Sequence, residues 1–134
     1  MPVTYEVRNG GTFVYTKAYG EIGEEDLLEY QVALLGDPRT KPGFCELFDA
    51  STAQAAGVSE ATLKKMAEVD QEHAEKLEGG KCAVVIRHGF ELAKLFESFQ
   101  ARPYNVMVFF NLDVARTWLG EPGADTQTAA PGSS

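Results

Sequence analysis

The chain is poor in cysteine, tryptophan and positive charge, and it has no long apolar run. Its 134 residues hold two cysteines, Cys45 and Cys82, each set among β-type residues. That is too few for a disulfide-built miniprotein, and the expected reading is two buried thiols in an intracellular protein. No CxxC motif and no Cys/His spacing of the metal-ligand kind occurs, which excludes a structural zinc site. Twelve basic residues stand against twenty acidic ones, a formal net charge of −8. A nucleic-acid binder needs a basic footprint on phosphate, so that class falls away. The same acidity disfavours anionic membrane surfaces. No apolar stretch approaches the roughly 20 residues that insert across a bilayer. The opening Met1-Pro2-Val3-Thr4-Tyr5-Glu6 has neither a basic nor an apolar signal region. A cytoplasmic protein is expected.

What is present is ordinary globular material. Hydrophobic residues make up 44% and charged residues 24%, so a chain of this length can bury one sizeable core unaided. One domain over residues 1–120 is expected. Residues 121–134 are small, polar and rich in Gly, Pro, Ser and Thr, which predicts a flexible C-terminal tail.

Periodicity divides the domain. Val3, Tyr5 and Val7 alternate with Thr4, Glu6 and Arg8, a half-buried strand. Asn9-Gly10-Gly11 marks a tight turn into a second strand, Thr12 to Tyr19. Glu24, Glu25 and Asp26 suit the first turn of a helix carrying Leu27, Tyr30, Leu34 and Leu35, with Gly36 as its stop. Phe44 to Phe48 reads as a third strand, ended by a polar turn over Asp49-Ala50-Ser51-Thr52. Ser59 is placed to cap a long helix running to Gly79-Gly80. Its stripe is Leu63, Met66, Ala67, Asp70, Ala74 and Leu77, in which Asp70 is the odd member. It marks a stripe end wetted by a crevice, or a partner contact. Cys82 to Ile86 and Val106 to Phe110 read as buried strands. A helix on Leu92, Leu95, Phe96 and Phe99 lies between them, and Asn111 opens a last helix closed by Gly120.

The order is ββαβαβαβα. It predicts an α/β fold with a mixed five-stranded open sheet, an antiparallel edge hairpin, and helices packed on the sheet. Ligands of such sheets sit beyond the carboxyl ends of the strands. That rim gathers Asp49, Ser51, Thr52, Arg87, His88 and Asn111. Asp49, Ser51 and Thr52 read either as a contact turn or as a turn that satisfies its own backbone. Arg87 and His88 read either as an anion site before a helix or as a solvated loop. Phe90, Phe96, Phe99, Phe109, Phe110 and Trp118 read as core, or as the wall of an apolar pocket. Asp70 and His73, three apart on one helix, lack further ligands for a metal. A Ser51–His88–Asp49 hydrolase lacks the GxSxG elbow, so no enzyme and no cofactor is expected.

Several of these segments carry a resemblance. They are Gly36-Asp37-Pro38 with Lys41-Pro42, Leu47-Phe48-Asp49, Ala83-Val84-Val85 with Gly89-Phe90-Glu91-Leu92-Ala93, and Val108-Phe109-Phe110-Asn111 to Ala115-Arg116-Thr117-Trp118-Leu119. Over residues 3–120 the chain resembles the SpoIIAA-like family, a STAS/SEC14-related group of small bacterial α/β domains. The resemblance implies a mixed sheet with helices. It also implies either of two roles. Some relatives are anti-sigma-factor antagonists, switched by phosphorylation of a serine at a helix N-terminus; SEC14-type relatives bind lipids or other apolar ligands. The antagonist pattern is Asp-Leu-Ser followed by Asp-Ser-Ser-Gly. Asp49-Ala50-Ser51 matches the first part at Asp and Ser. The second part is absent, and only Ser59 stands where the switch serine would be. The expectation is a regulatory protein–protein interaction module using Asp49, Ser51, Thr52, Ser59, Arg87 and His88. The alternative is a carrier of a small apolar ligand. A homodimer is compatible with either.

Overall fold

The computed structural model describes residues 2–87 and 105–120. Val3–Arg8 forms β1 and Phe13–Ile22 forms β2. They pair antiparallel, from Val3 against Ala18 to Arg8 against Phe13. Asn9, Gly10 and Gly11 turn between them, all with positive φ. Asparagine and glycine enter that region at low cost, so the expected hairpin is present.

Cys45–Ala55 (β3), Lys81–Ile86 (β4) and Asn105–Phe109 (β5) add in parallel, giving the strand order β1-β2-β3-β4-β5. Glu24–Leu35 (α1) links β2 to β3. Glu60–Glu72 (α2) and Ala74–Leu77 (α3) link β3 to β4, and Leu112–Leu119 (α4) follows β5. This is the mixed five-stranded sheet the order predicts. The helix expected on Leu92, Leu95, Phe96 and Phe99, the loop residue His88 and the tail 121–134 lie outside the described residues.

Right-handed crossovers in a sequential order send successive helices to one face. α1 and α2 share a face with Val14, Ala18, Phe44 and Ala53. α4 covers the other, setting Ala115 and Leu119 against Phe13, Leu47, Ala83 and Val85. The two-residue period of a strand divides β4 between them: Ala83 and Val85 face α4, while Cys82, Val84 and Ile86 face α1 and α2. Cys45 packs with the α4 cluster, so the two cysteines remain thiols on opposite faces of the sheet.

The helix ends follow chemistry visible in the sequence. Asp26 accepts the Gly23 amide at 2.9 Å, closing the start of α1. Asn111 accepts the Val114 amide at 3.0 Å, and Gly120 ends α4 in the left-handed region at φ 73. Gly36 ends α1 at φ −93, without that conformation. There Lys76 Nζ takes over, donating to the carbonyls of Leu35 (3.1 Å) and Asp37 (2.7 Å).

Four expectations change. β2 continues through Gly20 to Ile22, past Tyr19, where the sequence ends the second strand. β3 does not end at Phe48. Lys17 pairs with Asp49 but Tyr19 with Thr52, so Asp49-Ala50-Ser51 carries one extra residue as a bulge, and β3 pairs on to Ala55. The long helix breaks at His73, whose amide bonds the Asp70 carbonyl at 3.0 Å; Leu77 beyond the break is buried. Finally, β5 is an edge strand rather than a buried one. Among the described residues its one strand neighbour is β4, and Met107 and Phe110 are 43% and 65% exposed. Phe110 is therefore not core, whereas Phe109 stacks against Trp118 with ring centroids 5.5 Å apart.

Candidate functional site

The face under α1 and α2 is not completely filled. A cavity of about 150 Å³ lies between those helices and the sheet. Leu27, Leu34 and Leu35 of α1, Leu63 and Met66 of α2, and Phe48, Ala50 and Ala53 of β3 supply much of its wall. The exposed lining residue Ala55 stands at the carboxyl end of β3, which sets one opening there. That is the end of the sheet where ligands of open α/β folds are found.

Polar groups interrupt this wall. Glu46 shares the cavity face of β3 with Phe48 and Ala50, because alternate residues of a strand share a side. It is 3% exposed. Its Oε2 accepts from the Thr16 hydroxyl at 2.6 Å and from the Tyr30 hydroxyl, and Cys82 Sγ lies 3.7 Å from Oε1. Burial pushes the Glu46 carboxyl above its ordinary range. The Thr16 and Tyr30 hydrogen bonds pull the other way, and the negative charge of Asp70 adds to the push. Burial, then the nearby Glu46, holds the Tyr30 phenol well above its usual value.

Gln31 and Asp70 complete the set. Gln31, one residue along α1 from Tyr30, is 4% exposed. Its Nε2 donates to the Met66 carbonyl at 2.8 Å and to Asp70 Oδ1 at 2.7 Å. Its Oε1 is buried with no hydrogen-bond partner among the described residues. Such orphaned acceptors are rare in native interiors, where they cost about 1–3 kcal/mol each.

Of the residues expected to form the site, Asp49, Ser51 and Ser59 spend their polar groups on neighbouring atoms away from the cavity. Asp49 is 4% exposed. It bonds Tyr15 Oη (3.3 Å) and Lys17 Nζ (3.1 Å), whose side chains belong to the α4 face. The Ser51 amide and hydroxyl donate to its other oxygen at 3.0 and 2.7 Å. Burial works to raise the Asp49 carboxyl, but the Ser51 bonds and Lys17 outweigh it and hold it below the ordinary range. Asp49 and Ser51 therefore make the self-satisfying turn, built on the bulge. Thr52 is exposed beside them, and Arg87 is exposed just past β4.

Ser59 belongs to a separate cluster. Its Oγ accepts the Thr62 amide at 3.3 Å, and Thr62 Oγ1 donates to Glu24 Oε1 at 2.7 Å. Lys65 Nζ reaches the other Glu24 oxygen at 2.8 Å. Ser59 thus caps α2 and helps tie its start to the start of α1. Replacing Ser59 with alanine is expected to lower stability by about 1 kcal/mol. Urea denaturation checks this as a lower midpoint at an unchanged slope.

The Asp70–His73 pair is split by the helix break. His73 Nδ1 lies 2.9 Å from the Val69 carbonyl, while Asp70 meets Gln31. Among the described residues no group of three or more His, Cys, Asp or Glu is placed to hold a metal. Asp70 on an apolar stripe was the signal that pointed to this crevice. Glu46 and Gln31 carried weaker ones. Glu46 is the acid inside an apolar strand, and Gln31 falls beside Tyr30 on the buried face of α1.

No protein-family model matches the chain. No curated protein matches it in sequence. Among solved structures, it is similar to an uncharacterized protein of the DUF3478 family with a SpoIIAA-like fold from Shewanella loihica PV-4. The two share 15% identity over 87% of this chain and 93% of that one, with a TM-score of 0.57. The fold is SpoIIAA-like, as the resemblance implied. No helix among the described residues is long and apolar enough to cross a membrane.

Proposed function

We propose that this SpoIIAA-like domain binds a small apolar ligand in the cavity under α1 and α2 and does not transform it. The cavity itself carries the reading. Ligand sites are concave, mostly apolar and set with a few placed polar groups. An apolar cavity of this volume accommodates a benzene-sized molecule. Of the two roles expected, the carrier gains from this space. The interaction module needs presented polar groups on the rim, and Asp49, Ser51 and Ser59 spend theirs on neighbouring atoms.

Benzyl alcohol is a suitable first probe, being small, neutral and mostly apolar. Titration of the full chain, followed by NMR, is expected to give saturable shifts at Leu34, Met66 and Cys82. Ala53→Leu points added bulk into the cavity. It is expected to abolish those shifts and to raise stability by about 1 kcal/mol, as filled cavities do. An Ala53→Leu protein that binds as well as the parent, or a parent that shows no saturable shift with benzyl alcohol or any other ring-sized probe, refutes the reading.

A further inference from the structure

The wall of the cavity is chemically one-sided. The described lining carries two carboxyl groups, Glu46 and Asp70, and no lysine, arginine or histidine. Its vacant hydrogen-bonding capacity is acceptor capacity. Gln31 Oε1 lacks a partner among the described residues. Which end of that amide is oxygen follows from its other end, since Nε2 faces two acceptors, the Met66 carbonyl and Asp70 Oδ1. Glu46 Oε1 has the Cys82 thiol at 3.7 Å, a weak donor, while Oε2 takes both hydroxyls.

We propose that the cavity selects small primary amines: a compact apolar body bearing an ammonium head that donates to Gln31 Oε1 and the neighbouring carboxylates. This rests on the ligand-binding reading above. An ammonium has three donors and no acceptor, matching a wall short of donors. Its charge offsets two acids, and charge-assisted hydrogen bonds are about twice as strong as neutral ones. An alcohol offers one donor and no charge. A carboxylate or phosphate head adds acceptors and negative charge to a wall whose ionisable groups in the described lining include two acids and no base, so acidic lipids and fatty acids are excluded. The volume limits the body to about one aromatic ring or an equivalent short chain.

The test is a matched panel on the full chain at pH 7, with benzylamine, benzyl alcohol and benzoate titrated by calorimetry and NMR. Benzylamine is expected to bind roughly tenfold more tightly than benzyl alcohol, a difference of about 1.4 kcal/mol, with benzoate giving no saturable signal. Gln31→Leu keeps the side chain's bulk and removes the orphan acceptor. It is expected to erase most of the amine preference while benzyl alcohol binding persists. Benzyl alcohol binding as tightly as benzylamine, or benzoate competing with it, overturns the amine assignment and leaves the ligand-binding reading intact. Failure of all three probes on the parent protein overturns both. The parent panel decides the matter even if Gln31→Leu does not fold.

Discussion

Gly11→Ala is expected to remove about 3–5 kcal/mol of stability, in the upper tail for single substitutions, whereas Gly10→Ala costs only about 1–2 kcal/mol. The two glycines are adjacent in one turn, so the contrast isolates the cause. Both have positive φ, 66 at Gly10 and 99 at Gly11. A Cβ at Gly10 meets nothing within 4 Å. A Cβ built on Gly11 falls 2.2 Å from the Arg39 carbonyl oxygen, with Lys41 Cγ at 3.1 Å. That oxygen is backbone and cannot rotate away. The segment is also fixed by the Lys41 amide, which donates to the Gly11 carbonyl at 2.8 Å. Relieving the clash therefore means moving the β1–β2 turn away from the chain that leads into β3, and breaking that bond. Domains of this size hold about 5–15 kcal/mol in all. Chemical denaturation of both variants checks the contrast. Equal losses would show that backbone conformation, and not the close approach, sets the cost.

The sequence shows only part of that turn. Asn9-Gly10-Gly11 announces positive φ, and the hairpin follows from it. Nothing local tells the two glycines apart, because what Gly11 avoids is Arg39, twenty-eight positions on. The same division holds across the chain. Period-two strands, the Ser59 and Asn111 caps and the Gly120 stop are local signals, and each appears where the sequence puts it. The extension of β3 to Ala55 is not local. It depends on Tyr19 to Ile22 offering ladder partners beyond a bulge. Asp49, Ser51 and Thr52 stand out in the sequence as a polar cluster at the end of an apolar run. In the structure Asp49 bonds Ser51, Tyr15 and Lys17 on the α4 face, away from the cavity. The groups that do line the cavity, Tyr30, Gln31, Glu46 and Asp70, come from three separate elements. Taken singly they read as a stripe aromatic, a stray amide and two misplaced acids. They become a site only when parallel crossovers bring α1 and α2 onto the same face of β3.

Glu46 gives the sharpest check on that site, through two replacements with opposite outcomes. Glu46→Ala leaves the Thr16 and Tyr30 hydroxyls buried without their acceptor. At about 1–3 kcal/mol for each orphaned group, it is expected to cost roughly 3 kcal/mol or more. Glu46→Gln keeps an acceptor oxygen for the hydroxyls and removes the ionisable group. It is expected to be more stable than the parent near pH 8, and to lose that advantage on acidification. The sign follows from the direction of the shift. Burial raises the Glu46 carboxyl above its value in the unfolded chain, so between the two values the folded state holds a proton that the unfolded state has lost. The parent therefore loses stability as pH rises from the unfolded value, near 4.3, up through the raised one. Below that window both states are protonated and the difference between parent and variant vanishes. Asp49 and Glu24 shift downward and act in the opposite sense, losing their contribution as pH falls. They are present in both proteins and cancel in the comparison. Repulsion between Glu46 and Asp70 is relieved in the variant and acts in the same direction as the main effect. Thermal unfolding at pH 4 and pH 8 measures it. An advantage for Glu46→Gln that persists or grows at pH 4 would show that burial of the Glu46 charge is not what separates the two proteins.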